Sequence, residues 1–354
     1  MMRFSTLLKH PADWMTGAAQ GTGVVLTSRV RLARNLHREP FPGWSTKERR
    51  MGLLERVKPE VEALPEMKNG FSQELDGLTS LQKQVLVERH LISREQAARG
   101  EGSAAIVNRK QALCLMINEE DHLRLQAILP GLQPMQAWQE VNALDDELGG
   151  LLRYAHSEQW GFLTACPTNT GTGLRVSVLI HLPALVVTED MERVMRGLTQ
   201  MTFTVRGYHG EGTNAVGNLF QISNQSTMGV PEGDIVEKLV EVTRQIMAHE
   251  KEAQAAVLKE APSQVEDKVW RAYGLLAHAR VLSSQEFMNL LSAMRLGRSL
   301  GITDGMPSGF INQLMIITQP SHLQAEAGVD LSPEERDIRR AEVARRHLAE
   351  LGAA

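Results

Sequence analysis

The 354-residue sequence predicts an α+β protein, a sheet backed by helices and followed by a smaller, purely helical C-terminal part. Three observations carry that reading. Strand-length apolar runs recur between residues 24 and 223, divided by Gly- and Asn-rich turns. Stretches of helical periodicity alternate with them. From Asp234 onward helical periodicity is the only signal left.

In chain order, residues 1–23 form a short lead-in. Val24–Leu36 opens on Val24-Val25-Leu26 and runs on as Thr27-Ser28-Arg29-Val30-Arg31-Leu32-Ala33-Arg34-Asn35, which reads as extended strand. Thr46–Leu64 and Leu78–Arg99 look helical. Ala112–Ile117 is a fully apolar run of strand length ended by Asn118, and Gln136–His156 is helical again. Trp160–Ala165, Leu174–Leu182, Met201–Val205 and Asn218–Ser223 are β-like, with one helix-like piece, Leu185–Gln200, among them. Asp234–Glu260, Gln264–Arg280, Ser284–Leu296 and Ser332–Leu351 read as helices, separated by Pro262, Gly301–Gly305 and Pro320. A boundary near Ala253–Ser263 divides the chain into the lead-in 1–23, a body 24–254 and a helical domain 255–354.

Composition narrows the function classes. Apolar residues make up 42% and charged residues 23%, which excludes a disordered or fibrous chain. No apolar run is long enough for a membrane span, and no secretory leader is visible. Two cysteines, Cys114 and Cys166, cannot build a disulfide framework, so a reducing cytoplasm is expected. A net charge of -4 gives no reason to expect nucleic acid. Arginine outnumbers lysine 28 to 10, a bias that is either compositional or a means of gripping phosphate bidentately.

Four segments place polar groups where an apolar strand has just ended. In Ser28-Arg29-Val30-Arg31, alternation puts both guanidinium forks on one strand face, about 7 Å apart, a spacing that suits neighbouring phosphates. Asn118-Glu119-Glu120-Asp121-His122-Leu123-Arg124 carries three consecutive acids; a helix starting there would set Glu120 and Arg124 on one face. Cys166-Pro167-Thr168-Asn169-Thr170-Gly171-Thr172-Gly173-Leu174-Arg175 is a tight turn feeding a strand, whose cysteine could be a partly exposed thiolate, whereas Cys114 reads as core. Arg206-Gly207-Tyr208-His209-Gly210-Glu211-Gly212-Thr213 flanks an acid with glycines, so backbone can approach a ligand. Gly210, Gly212 and Ala215, with Glu232 and Asp234 downstream, also meet a loose dinucleotide fingerprint. No Walker A loop or His-Glu-x-x-His metal helix is present.

Together these four segments resemble the catalytic domain of the guanidino (ATP:guanido) phosphotransferases, the family of arginine and creatine kinases. The resemblance runs from about Val24 to Gln254 and implies an antiparallel sheet flanked by helices. It implies that ATP, with Mg²⁺, lies along Thr27, Ser28, Arg29, Val30 and Arg31, His90, Arg124, Arg175, Val176, Ser177, Val178 and Leu179, and Arg206, Gly207, Tyr208, His209 and Gly210. Arg29, Arg31, Arg124, Arg175 and Arg206 are its phosphate-holding arginines. Glu120 and Glu211 are its guanidinium-binding carboxylates, with Glu120 as base, and Cys166 is its reactive cysteine. No dedicated metal-ligand set is expected.

Only 27 residues precede Ser28, whereas small-molecule guanidino kinases carry there a helical domain that closes over the free amino acid. That difference, and the C-terminal helices, resemble the McsB-type protein-arginine kinases. There, Ser332-Pro333-Glu334-Glu335 forms a helix start, and Arg336-Asp337-x-x-Arg340 matches a motif implicated in phosphoarginine binding. The resemblance implies arginine-bearing protein substrates, a homodimer or higher homo-oligomer, a McsA-like activator, a ClpC-like unfoldase and heat-shock repressor clients. A free-arginine kinase and a non-catalytic phosphoarginine adaptor are the alternatives, with nicotinamide-dinucleotide binding third.

Overall fold

Strand β1 (Val25–Arg34) is hydrogen-bonded on both sides, and the alternation of its residues organises the molecule. The computed structural model describes residues 1–16, 23–208, 215–303 and 305–353. The other strands are β2 (Phe71–Glu74), β3 (Ala104–Val107), β4 (Leu113–Ile117), β5 (Leu123–Pro130), β6 (His156–Ser157), β7 (Gly161–Phe162), β8 (Leu174–His181), β9 (Phe203–Gly207) and β10 (Leu219–Asn224). Eight of them form one sheet in the order β2-β3-β4-β5-β1-β8-β10-β9, and every pairing is antiparallel. β6 and β7 make a separate two-stranded ribbon.

Val30, Leu32, Leu125, Ala127, Val176 and Val178 point to one face of the sheet, all fully buried. They meet Val57 and Val61 of helix Lys47–Ala63, Val141 and Leu148 of Pro134–Leu151, and Val236 and Leu239 of Glu232–Glu260. Each such side chain contributes roughly 1.5–3 kcal/mol.

Among the described residues, the opposite face is covered only at its ends. At one end Cys114 and Met116 lie under Leu86 and Leu91, together with Leu7 of the N-terminal helix Phe4–Lys9. At the other, Ile128, Leu179 and Leu219 lie under Phe287 and Leu291 of helix Ser284–Ser299 and Ile311 and Met315 of helix Ser308–Ile317. Trp14, fully buried, belongs to the same cluster, so the lead-in is woven into the core rather than detached from it. A cleft remains between the two covers.

Several elements differ from the sequence reading. The helix expected over Leu78–Arg99 is two pieces, Ser80–Glu88 and Arg94–Ala97, because His90 takes a left-handed backbone at φ 60°. Likewise Glu189 at φ 61° splits Leu185–Gln200 into Pro183–Val187 and Met191–Gln200. Of Trp160–Ala165 only Gly161–Phe162 is strand. Asn118–His122 begins no helix; it is the tight turn of the β4–β5 hairpin, with Asn118 at φ 55°. Pro320 opens a helix, Pro320–Ala327, instead of merely separating two. The long helix Glu232–Glu260 stops at Ala261, and Pro262 starts Pro262–His278.

At the end of β1, Arg34 is 1% exposed and donates from Nε (2.9 Å) and Nη2 (2.7 Å) to Asp145 Oδ2. Its Nη1 reaches Thr172 O at 2.8 Å, and its guanidinium lies 3.6 Å from the Phe162 ring centroid. Asp145 Oδ1 has no partner of its own. Arg34→Met, which strands a buried carboxylate, is expected to cost about 3–5 kcal/mol in a urea unfolding curve.

Candidate active site

The cleft floor follows from strand register. Arg29 lies opposite Ile128 of β5 and Ser177 of β8; Arg31 lies opposite Gln126 and Arg175. On β10, Gln221 lies opposite Leu179 of β8 and Arg206 of β9. Cross-strand partners share a face, so Arg29, Arg31, Arg124, Arg175 and Arg206 converge on the side away from the main core. They stand beside a cavity of about 700 Å³ whose lining includes Thr27, Arg29, Arg31, His90, Ser177, Leu179, Arg206, Gly207 and Tyr208.

The same alternation turns Ser28, Val30, Val176 and Val178 away. Val30, Val176 and Val178 are core side chains on the other face, and Ser28 Oγ is occupied by Gly131 O at 2.7 Å and Gln133 N at 2.8 Å. Their side chains therefore face away from the cleft, and these residues reach it only through their backbone. His209, Gly210 and Glu211 lie outside the described residues.

Five arginines on one face repel one another. Arg29 donates to the neutral Gln221 Oε1 (3.0 Å), and Arg175 to Ser223 Oγ (3.3 Å). The Arg31 Nε is buried without a partner. Burial, with the charges of Arg124 and Arg175, pulls the Arg29 guanidinium down to about 10. Burial and then Arg29, Arg124 and Arg175 depress Arg31 well below the usual arginine range. Burial, Arg206 and Arg124 depress Arg175. Among the described residues one acid forms an ion pair with the cluster: Glu119 accepts from Arg124 Nη1 at 2.8 and 2.7 Å, with Glu120 and Asp121 adding weaker attraction. Burial opposes the charge of Arg124, yet Glu119 holds it above the usual range. The floor is short of negative charge, the electrostatic character that suits a polyanion.

The β4–β5 turn divides labour among neighbours. Glu119, fully buried, is spent on Arg124, on Ser93 Oγ at 2.5 Å and on the Glu120 N–H at 2.9 Å. Burial opposes its ionisation, but Arg124 and these donors hold it below the usual carboxylate range. Asp121 Oδ1 accepts from Asn35 Nδ2 and from the Ala165 N–H, both at 2.6 Å, clipping the Cys166 loop to the turn. His122 Nδ1 accepts from the Leu36 N–H (3.0 Å), so Nε2 carries the proton donated to Pro40 O (3.1 Å). Burial lowers this ring to about 4, leaving it a neutral brace.

Glu120 is half-buried at the same turn. Burial, then the charge of Asp121, raises its carboxyl above the usual range; Glu119 and Glu95 add to the rise and Arg124 opposes it. The turn thus presents one carboxylate of raised basicity beside a cationic floor, the arrangement expected of a general base.

On the neighbouring loop, Cys166 Sγ lies 3.0 Å from Thr168 Oγ1 and is partly exposed. Gly171, at φ 114°, lies so close to Thr227 O that a Cβ would sit 2.3 Å away, so only glycine fits. Cys114 is buried, with its thiol raised by desolvation. His90 Nε2 lies 3.1 Å from Tyr208 Oη, and burial raises that phenol.

At the C-terminal helix, Ser332 and Glu335 form the reciprocal cap: Glu335 N donates to Ser332 Oγ (3.2 Å) and Ser332 N to Glu335 Oε2 (2.7 Å). Arg336 is half-buried. Arg340 is 2% exposed, donating to Leu282 O (2.8 Å), Thr318 O (3.2 Å) and Asp337 Oδ1 (2.5 Å).

Sequence reasoning missed Glu119 as the arginine anchor, Asp121 as the loop clip and Gln221 as the Arg29 acceptor. It also missed Ser284, Gln319 and Pro320, C-terminal residues that line the cleft. The alternation of Gln221 with Phe220 and Ile222 was the available signal for that residue; the others required the fold.

The ATP:guanido phosphotransferase C-terminal catalytic domain matches residues 53–253, and the C-terminal domain of the protein-arginine kinase McsB matches residues 262–354. Among curated proteins, the protein-arginine kinase of Halothermothrix orenii is 42% identical over 340 residues, covering 96% of this chain and 97% of the relative. That of Desulforamulus reducens is 44% identical over 343 residues, 96% of each chain. Among solved structures, a lombricine kinase aligns with TM-score 0.58 at 23% identity, over 70% of this chain and 72% of its own. The duplicated taurocyamine kinase from Schistosoma mansoni, with bound transition state analog components, aligns with TM-score 0.59 at 23% identity, over 78% of this chain and 40% of its own.

Proposed function

We infer the function from one premise: this chain belongs to the ATP:guanido phosphotransferase family. It is a protein-arginine kinase, transferring the γ-phosphoryl of ATP to arginine side chains of proteins. The observation that carries the chemistry is a free carboxylate of raised basicity, Glu120, at the edge of a five-arginine floor short of negative charge.

In this reading Arg29, Arg31, Arg124, Arg175 and Arg206 cradle the triphosphate, and Thr27, His90, Ser177, Leu179, Gly207 and Tyr208 wall the nucleotide. Phosphoryl transfer is then mostly positioning and charge stabilisation. The acceptor guanidinium, with a pKa above about 12, is no nucleophile until a proton leaves it. Glu120 aligns it and takes that proton. Glu211 holds the other side of the fork, and Cys166 tunes the charge nearby. Mg²⁺ would be held by phosphate oxygens of the nucleotide and water, which suit it, and would supply positive charge beside the transferring phosphoryl group.

The division into a catalytic body (24–254) and a helical domain (255–354) accompanies this reading. Arg336, Asp337 and Arg340 form a phosphoarginine site. With Arg340 committed to two carbonyls and Asp337, Arg336 is the cation free to meet the phosphate. A cytoplasmic homo-oligomer, a McsA-like activator, a ClpC-like unfoldase and heat-shock repressor clients follow from the resemblance.

The test is to incubate the protein with ATP and either an arginine-rich protein or free arginine, followed by mass spectrometry without acid. Phosphate on protein arginine is expected; labelling of free arginine alone rejects the reading. A pH profile tests the base. The active form is the ionised one, so turnover rises with pH through the raised pKa of Glu120 and is lost below it. Asp121→Asn keeps an acceptor for Asn35 and Ala165 but removes the charge that raises Glu120. Its acidic limb in kcat/KM is expected at lower pH than the parent's.

A further inference from the structure

We propose that Glu88 and His322 are positioning residues of the nucleotide site, a clasp by which the helical domain fixes the His90 turn. The inference rests on the reading of His90 as a nucleotide contact.

Glu88 is the last residue of helix Ser80–Glu88. Its carboxylate accepts from the Ser321 N–H (2.8 Å), the His322 N–H (3.1 Å) and His322 Nδ1 (2.7 Å). These donors belong to the first turn of helix Pro320–Ala327, which Glu88 therefore caps from the catalytic body. The next residue, Arg89, is 1% exposed and donates from Nε to His322 Nε2 at 3.1 Å. Arginine can only donate, so Nε2 accepts and Nδ1 carries the proton given to Glu88. The imidazole is a neutral, oriented bridge between two consecutive residues of the body. Arg89 is also tied to the lead-in through Leu7 O and His10 O, each at 2.8 Å.

His90 follows directly, in the left-handed conformation, with its carbonyl taken by Gln126 Nε2 at 2.7 Å. A non-glycine residue keeps that backbone only where its surroundings enforce it. Here the enforcement comes from two sides: Gln126 on the cleft floor, and the clasp at residues 88 and 89. Gln319 and Pro320, just before the clasped turn, line the same cavity as His90. The helical domain is thus a wall of the nucleotide pocket as well as an appendage to it.

The test uses the full chain, with steady-state kinetics varied in ATP and in an arginine-bearing protein. His322→Leu keeps the bulk but removes the Nδ1 donor; Glu88→Gln keeps the size but loses an acceptor. Both are expected to raise the KM for ATP about three- to tenfold, the range of one lost hydrogen bond, with the KM for the protein substrate unchanged. His322→Asn, whose amide nitrogen falls where Nδ1 was, is expected to return the ATP KM to within about twofold of the parent. A structural defect alone would lower melting temperature without that split or rescue. If either folded variant keeps the parental ATP KM while His90→Ala raises it, the clasp is overturned and the nucleotide assignment stands. If His90→Ala leaves the ATP KM unchanged, the assignment itself fails, and the clasp with it.

Discussion

Glu120→Gln is expected to bind ATP as the parent does and to phosphorylate protein arginine at least about a hundredfold more slowly. A general base contributes roughly 10²–10⁴-fold, and glutamine keeps the shape while losing both the proton acceptor and the charge facing the acceptor guanidinium. Nucleotide binding survives because Glu119, not Glu120, holds Arg124. The adjacent change, Glu119→Gln, therefore has the opposite signature. It removes the carboxylate that orients Arg124, so that guanidinium is no longer held in place on the floor; the ATP KM rises through lost positioning and the acceptor KM stays. Two neighbouring glutamates with complementary phenotypes would be hard to obtain from general damage to the turn. Turnover by Glu120→Gln above a tenth of the parent's rules out the base assignment.

Arg31→Met carries the second large effect, with opposite signs for stability and activity. The Arg31 guanidinium has a buried Nε with no partner and sits among Arg29, Arg124 and Arg175. A stranded donor of this kind costs about 1–3 kcal/mol, and a methionine of similar reach removes it. The nucleotide-free variant is therefore expected to melt about 2–4 °C higher than the parent. Its kcat/KM is expected to fall about a thousandfold, at the lower end of what an arginine stabilising a transferring phosphoryl contributes. ATP, which raises the parent's melting temperature by mass action, should barely move the variant's. Scanning calorimetry with and without ATP reads both effects; a less stable variant with a full ATP-dependent shift contradicts the cradle.

Strand alternation made Arg29 and Arg31 legible as one face, whereas Arg124, Arg175 and Arg206 were reached only through the family resemblance. Once Arg29 and Arg31 sit on one face, register carries Arg124, Arg175 and Arg206 to it. The same rule, applied further, turns the side chains of Ser28, Val30, Val176 and Val178 to the other face. What hid the β4–β5 hairpin was its turn chemistry. Asn118 takes the left-handed position without a glycine, and three acids before Leu123-Arg124 imitate a helix start. His90 hid the break in Leu78–Arg99 in the same way, since its backbone is set by contacts distant in sequence. β2 and β3, at four residues each, are too short to register as periodic. Glu119 and Glu120 are indistinguishable on paper; only packing decides which one is consumed by an ion pair.

Because Ser284, Gln319 and Pro320 stand in the same cavity wall as His90, the seam at Ala261 joins two parts that share one cavity. A chimera that grafts these C-terminal helices onto a foreign sheet inherits a mismatched wall. Grafts that carry Glu88 and Arg89 along with the transplanted helices would keep the hydrogen bonds across the seam, so the two parts are constrained to diversify in concert.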